Sequence, residues 1–153
     1  MRIHALPTDL VRHLQNGGKD AHGNTPERGI STGTGMPCRH CMKNIPEGED
    51  MLILAHRPFD DLHPYAECGP IFLCAAPCQR GGGSETLPDV LANSPEYLVK
   101  AYDKHQRIIY GTGAITPSAQ IMQRAATLMD DPQVAFVDVR SARNNCYLAR
   151  ITR

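Results

Sequence analysis

Apolar and polar positions alternate along this chain in two rhythms, one strand-like and one helical. "RIHAL" (Arg2–Leu6) reads as a short strand. "PTDLVRHLQNGG" then changes to helical spacing, with Leu10, Val11 and Leu14 on one face. Thr8 is placed to cap that helix and Gly17 to stop it, and His13 reads as a surface residue near the helix dipole. Lys19 to Gly35 is polar and glycine-rich, a long loop with room for a strand at "RGIST". "EGEDMLILAHRPF" passes from a turn into a buried strand over Met51–Ala55. "GPIFLCA" is a second strand, entered through Gly-Pro. "LPDVLAN" has the length of one or two helical turns.

The second half begins with a hairpin pattern, Tyr97–Tyr102 and Arg107–Tyr110 around a turn at Asp103–Gln106. "TPSAQIMQRAATLMDDP" predicts a helix. Thr116 stands at the cap, Pro117 in the first helical position, and Ile121, Ala125, Leu128 and Met129 recur at helical spacing. "VAFVDVR" and "CYLARIT" predict a terminal hairpin around Ser141–Asn145. Strands outnumber helices, no βαβ rhythm runs through the chain, and no internal repeat is present. The expected fold is α+β in one domain, 1–153: a mostly antiparallel sheet with two or three short helices and a cysteine-lined knuckle.

Composition adds limits. A chain of 153 residues can bury roughly two thirds of its unfolded surface, so it needs neither metal nor disulfides merely to own a core. Tryptophan is absent, so that core is expected to be built of Leu, Ile, Val, Met and Ala. Lys plus Arg and Asp plus Glu stand at 16 each, which argues against a nucleic-acid footprint and against electrostatic membrane docking. The N-terminal segment has no apolar run of signal-peptide length, and no segment approaches a membrane span. A cytoplasmic location is expected. In that reducing compartment, six cysteines point to metal, catalysis or burial before disulfides.

Four of the six fall in two pairs, "PCRHC" (Cys38, Cys41) and "CAAPC" (Cys74, Cys78), with the spacing C-x2-C-x32-C-x3-C. A C-x2-C knuckle aims two sulfurs at one point, and zinc takes four such ligands at tetrahedral corners. Cys74 and Cys78 meet that need only if the chain turns at Ala75–Pro77. Packed thiols are the plain alternative, because cysteine behaves as a small buried hydrophobe. A reactive Cys38, with Arg39 favouring the thiolate and His40 as base, is a third reading. The helix that follows a thiol–disulfide motif is not found after "PCRHC". Cys68 and Cys146 stand apart, and His56 and His63 are further ligand candidates.

Two other stretches carry chemistry. "RSARNNCYLARITR" holds four arginines and no acid, and "SARNN" reads as a hairpin tip. There Arg140, Arg143, Asn144 and Asn145 offer donors to a small anionic ligand, or the arginines simply pair with Asp138 and other acids. "YGTGAITP" runs towards a helix N-terminus, a weak anion site, and lacks the third glycine of a dinucleotide fingerprint. The glycines of "QRGGGSE" lack the lysine and hydroxyl of a phosphate loop and read as slack.

"PCRHC", "GEDMLILAHRPF", "GPIFLCAAPC", "YLVKAYD", "RIIYGTG" and "AFVDVRSARNNCYLAR" together resemble an uncharacterised bacterial family, domain-of-unknown-function family 1203, from about Gly35 onwards. The resemblance implies a small bacterial protein and supplies no activity to carry over. It also implies that His often replaces Cys74 in similar members, as a metal ligand tolerates, while distant members keep only "PCR". That pattern singles out Cys38 and Arg39. The combined expectation is a zinc-stabilised binding module. Its metal ligands are Cys38, Cys41, Cys74 and Cys78, and its candidates for binding a small anion or a protein are Arg39, Arg140, Arg143, Asn144 and Asn145. A thiol enzyme or redox sensor centred on Cys38 and a metal-free interaction module are the alternatives.

Overall fold

Two antiparallel sheets organise the chain in the computed structural model, which describes residues 1–83 and 86–153. In chain order the elements are β1 (Arg2–His4), α1 (Thr8–Gln15), β2 (Glu27–Ile30), β3 (Asp50–His56), β4 (Gly69–Cys74), β5 (Glu96–Tyr102), β6 (Ala114–Pro117), α2 (Ile121–Met129), β7 (Phe136–Ser141) and β8 (Tyr147–Thr152). Single 3-10 turns occupy Asp89–Ala92 and Ser118–Gln120. The larger sheet runs β1-β8-β7-β5-β6 and the smaller β2-β3-β4. Every strand pairing in both is antiparallel, and the fold is α+β.

α1 buries Val11 and Leu14, one turn apart, and carries Asp9 in its first turn and Arg12 and His13 in its last. Its end is a Schellman motif. Gly17 takes φ +86° and donates to Leu14 O, while Gly18 donates to His13 O. Thr8 makes no cap bond; it is the first helical residue, and Pro7 occupies the cap position. α2 buries Ile121, Ala125 and Met129 at four-residue intervals. Arg153 closes the far end of that helix, donating to Met129 O and Asp131 O.

Two expectations change here. The arm Arg107–Tyr110 is not a strand; only Ile108 bridges Tyr102, and the partner of β5 is β6. Thr116 and Pro117 therefore belong to a strand, and the helix starts later, through the turn at Ser118–Gln120. Pro117 is tolerated because β6 is an edge strand.

The two faces of the larger sheet differ in kind. Val99, Ala101, Val137, Val139, Ala149 and Ile151 form an apolar face against α2. The alternate positions Lys100, Tyr102, Asp138 and Arg140 are also buried, so this face is a charged layer inside the protein. A bulge shapes it. Opposite Val139–Arg140, β8 supplies one extra residue, Leu148, which joins the apolar core. Tyr147 is thereby turned into the second core, beside β3, β4 and α1.

Candidate metal centre

The first cysteine pair sits on a knuckle closed by local bonds. Cys38 N donates to Lys43 O, Met42 N donates to Cys38 O, and Met42 itself is in the left-handed region at φ +59°. The knuckle docks on β4, where Cys38 bridges Phe72 in parallel and Arg39 N donates to Phe72 O. β4 ends at Cys74, whose own N–H points to the Cys38 sulfur at 3.4 Å. The chain then turns over Ala75–Pro77 and presents Cys78. α1 holds that turn. Gln15 Nε2 donates to Cys74 O at 2.8 Å and Ala76 O at 2.9 Å, and Arg12 Nη2 donates to Cys78 O at 2.7 Å.

The four sulfurs converge. Cys38 Sγ and Cys78 Sγ are 4.0 Å apart, Cys41 Sγ and Cys74 Sγ are 4.0 Å apart, and all four lie within 4.8 Å of one another. A tetrahedral ion with bonds of about 2.3 Å would set its sulfurs about 3.8 Å apart, close to this spacing. All four are free thiols. The group could hold a metal ion, and such a set leaves no ligand position for water.

Within the cluster the proton is lost most readily from Cys38. Hydrogen bonds from the Cys41 and Cys74 thiols hold Cys38 well below the usual thiol range. Their bonds to Cys38 push Cys41 and Cys74 up, and burial followed by repulsion from Cys38 and Cys41 pushes Cys78 up to about 12. A divalent ion would supply the charge that favours the ionised form of all four.

His40, fully buried, stands behind the sulfurs. Its Nδ1 is 3.1 Å from Cys78 Sγ and its Nε2 is 3.0 Å from Thr8 Oγ1. Burial lowers its pKa and so favours the neutral ring. With a thiolate at Cys78, Nδ1–H donates to sulfur and Nε2 accepts the Thr8 hydroxyl. A ligand supported by a histidine that is itself fixed by a further group is a common outer layer of metal sites.

The glycine loop is part of this construction. A Cβ on Gly81 would collide with the Cys41 carbonyl, and Gly81 N donates to His40 O at 2.8 Å. Gly82 bridges His4, and Gly83 N donates to Ile3 O. Gly81 and Gly82 are sites of close backbone approach and Gly83 takes φ +78°, which corrects their reading as slack. Ser84 and Glu85 of the same stretch lie outside the described residues.

The anion candidates scatter. Arg39 is buried and spends its donors on Tyr147 O and Pro37 O, with its guanidinium 5.7 Å from the centre of the Phe72 ring. Arg140 is not on the hairpin tip; it is 3% exposed, inside the charged layer, with Nη2 3.1 Å from Glu67 Oε2. Arg143, Asn144 and Asn145 are at the tip and exposed. Asp138 pairs with Arg150, not with Arg140. Cys68 is exposed, Cys146 half-buried, and neither belongs to the cluster. The helix-start reading of "YGTGAITP" falls with the strand β6.

Sequence reasoning missed the supporting layer: Thr8, Arg12 and Gln15 behind the cysteines, and Lys100, Glu67 and Arg150 around Arg140. One signal was available for the first group. Thr8, Arg12 and Gln15 recur at helical spacing on the polar side of α1.

Fold and site together define the class, an α+β protein whose smaller sheet and first helix meet at a four-cysteine cluster that could hold a metal ion. The chain belongs to the family described as "Protein of unknown function (DUF1203)", which matches residues 35–153. No curated protein and no solved structure matches it. Among the described residues no helix is long and apolar enough to cross a membrane.

Proposed function

We propose that the chain is a zinc-stabilised binding module. The supporting observation is the convergence of Cys38, Cys41, Cys74 and Cys78 from two separate chain segments, with α1 and His40 built around them. A closed four-sulfur site does structural work. It ties the knuckle, the end of β4 and α1 into one unit, and it offers no open position for a substrate. Cys38 is 0% exposed, so the thiolate favoured by its surroundings has no path to a substrate or an oxidant. That observation weighs against a thiol enzyme centred on it.

The binding half of the proposal rests on donors gathered at one end of the β7–β8 hairpin: Arg143, Asn144 and Asn145 at the tip, with Arg140 beneath. The partner would be a small anion or an acidic protein segment.

Metal analysis tests the first half. Zinc and iron per chain are measured in protein purified without added metal. One zinc per chain is expected; clearly sub-stoichiometric metal, with Cys41, Cys74 and Cys78 open to alkylation, rules the centre out.

A further inference from the structure

Between the hairpin tip, the end of β3 and the start of β4 lies a cavity of about 170 Å³, separate from the four cysteines. It is lined by His56, Glu67, Cys68, Arg140, Asn145 and Cys146, among others. A well-known engineered cavity of about 150 Å³ takes a benzene molecule, so this one has room for a small solute.

Its walls hold polar atoms that the protein leaves without partners. Arg140 is 3% exposed, yet its Nε meets no acceptor. Its Nη2 lies 3.1 Å from Glu67 Oε2 but off the hydrogen-bonding direction, while Nη1 donates to Asn145 O at 3.1 Å. His56 Nε2 is buried and also unpartnered. Buried guanidinium and imidazole nitrogens normally find partners, and leaving one without is unfavourable. Two such groups lining one cavity describe half of a binding site.

The charge around the cavity selects the other half. Arg39, Arg57, Arg140 and Arg150 all act on His56. Lys100 adds a fifth cation beside Glu67. The acids of this layer, Glu67 and Asp138, are already occupied, Glu67 by Lys100, Arg140 and Asn145 and Asp138 by Arg150. A cation would meet excess positive charge here. An oxyanion would meet an Arg140 guanidinium whose Nε has no acceptor and an imidazole that can present an N–H, both already buried.

The local backbone serves the same purpose. The bulge places Tyr147 opposite Arg140, and Tyr147 packs on His56 with ring centres 5.5 Å apart. Asn145 takes φ +58°, a conformation asparagine tolerates better than most residues, and its carbonyl accepts from Arg140. Both devices hold the guanidinium against the cavity wall.

We propose that this cavity is the ligand site of the module and binds a small oxyanion, a phosphate or carboxylate group, between Arg140 and His56. The inference rests on the binding-module reading above. The test titrates protein as purified with inorganic phosphate and, separately, with acetate, at constant ionic strength set by potassium chloride. Thermal stability and the alkylation rate of Cys146, which lines the cavity, are followed together. A saturable rise in melting temperature with slowed Cys146 alkylation, for one anion or both, is expected, and the arm that responds identifies the group.

Arg140→Gln should weaken the response at least about tenfold, the loss of one charged hydrogen-bonding partner. Since a buried arginine can matter for folding, Asn144→Asp supplies a second variant. It adds negative charge at the exposed mouth and should also weaken binding. No response to either anion by the parent protein overturns the proposal, as does an unchanged response in Asn144→Asp. Metal content of the same samples separates the outcomes: full zinc without anion binding removes only this site, and anion binding without zinc removes only the metal centre.

Discussion

His40 Nδ1 stands 3.1 Å from Cys78 Sγ, and the sulfur of Cys38, its neighbour but one, lies 4.0 Å from that same atom. The knuckle therefore contributes two groups to Cys78, one sulfur beside it and one imidazole behind it. The imidazole is anchored in turn by Thr8 from α1. The ring thus links α1 to the Cys78 side chain, beside the bonds from Arg12 and Gln15 to the carbonyls of Cys78 and Cys74.

That relay makes His40 a positioning residue. His40→Ala removes the donor to Cys78 and leaves Thr8 without its partner. Loss of such a second-layer group typically lowers metal affinity 10–100-fold. Competition against a chromophoric chelator should show a drop of that order in His40→Ala. His40→Asn, whose side-chain N–H can reach part of the way, should recover some of it. Equal affinity in parent and both variants would show that the 3.1 Å contact has no bearing on the metal.

Thiol counting reads the cluster from another side. Cys68 and Cys146 lie outside it, and the other four would be metal-bound thiolates. In native protein, two thiols are expected to react with a thiol reagent quickly, and six after chelation and denaturation. Four or more fast thiols in the untreated protein would contradict a filled tetrathiolate site.

The glycine loop gives a prediction about packing. A methyl group on Gly81 must push the Cys41 carbonyl, a backbone atom that cannot swing aside as a flexible side-chain end can. Gly81→Ala should cost about 1–3 kcal/mol, the range for overpacking a close-fitted site, and should weaken metal retention as well. Gly83→Ala has open space around its Cβ but a backbone φ of +78°, so it tests conformational strain without the collision. Chemical denaturation of both variants, with zinc release followed in parallel, separates the effects. Zinc should leave earlier only in Gly81→Ala.

Much of this arrangement is legible along the chain and part of it is not, for a physical reason. Strand and helix positions follow from local alternation and from punctuation such as Gly69-Pro70 and Gly17. The cysteine pairs declare themselves because knuckle geometry is local. Alternation in "VAFVDVR" marks a strand, but it cannot say whether Asp138 and Arg140 face water or another layer of protein. That depends on what the long segment between β3 and β4 covers. A charged strand face is ordinarily solvated, so the burial of Lys100, Asp138 and Arg140 runs against the usual expectation. The edge strand β6 is hidden for a related reason. Thr116-Pro117 has the chemistry of a helix start, and tertiary pairing with Glu96–Val99 overrides it.

The charged layer also makes stability depend on pH, through His56. Burial first, and then Arg39, Arg150, Arg140 and Arg57, push its pKa down from 6.5 to about 4. The ring lies against Tyr147, and the acids of the layer, Glu67 and Asp138, are taken up by their own cations. A histidine whose folded pKa is lowered takes up its proton more readily in the unfolded chain. Above about pH 6.5 both states are neutral there and nothing is lost. As pH falls from 6.5 towards 4, the unfolded state gains protons first and folding stability declines, by up to about 3 kcal/mol over that window. Below 4 this contribution levels off. Urea unfolding across that range should show the decline in the parent protein and a flatter profile in His56→Asn. Glu67 behaves differently. Burial would raise its pKa, but Arg140, Lys100 and Asn145 outweigh this and bring it below the ordinary carboxylate value. Its contribution is present above that value and is lost only at more acid pH, so a Glu67→Gln variant should keep the upper part of the slope. An equally steep decline between pH 6.5 and 4 in His56→Asn would place its origin outside His56.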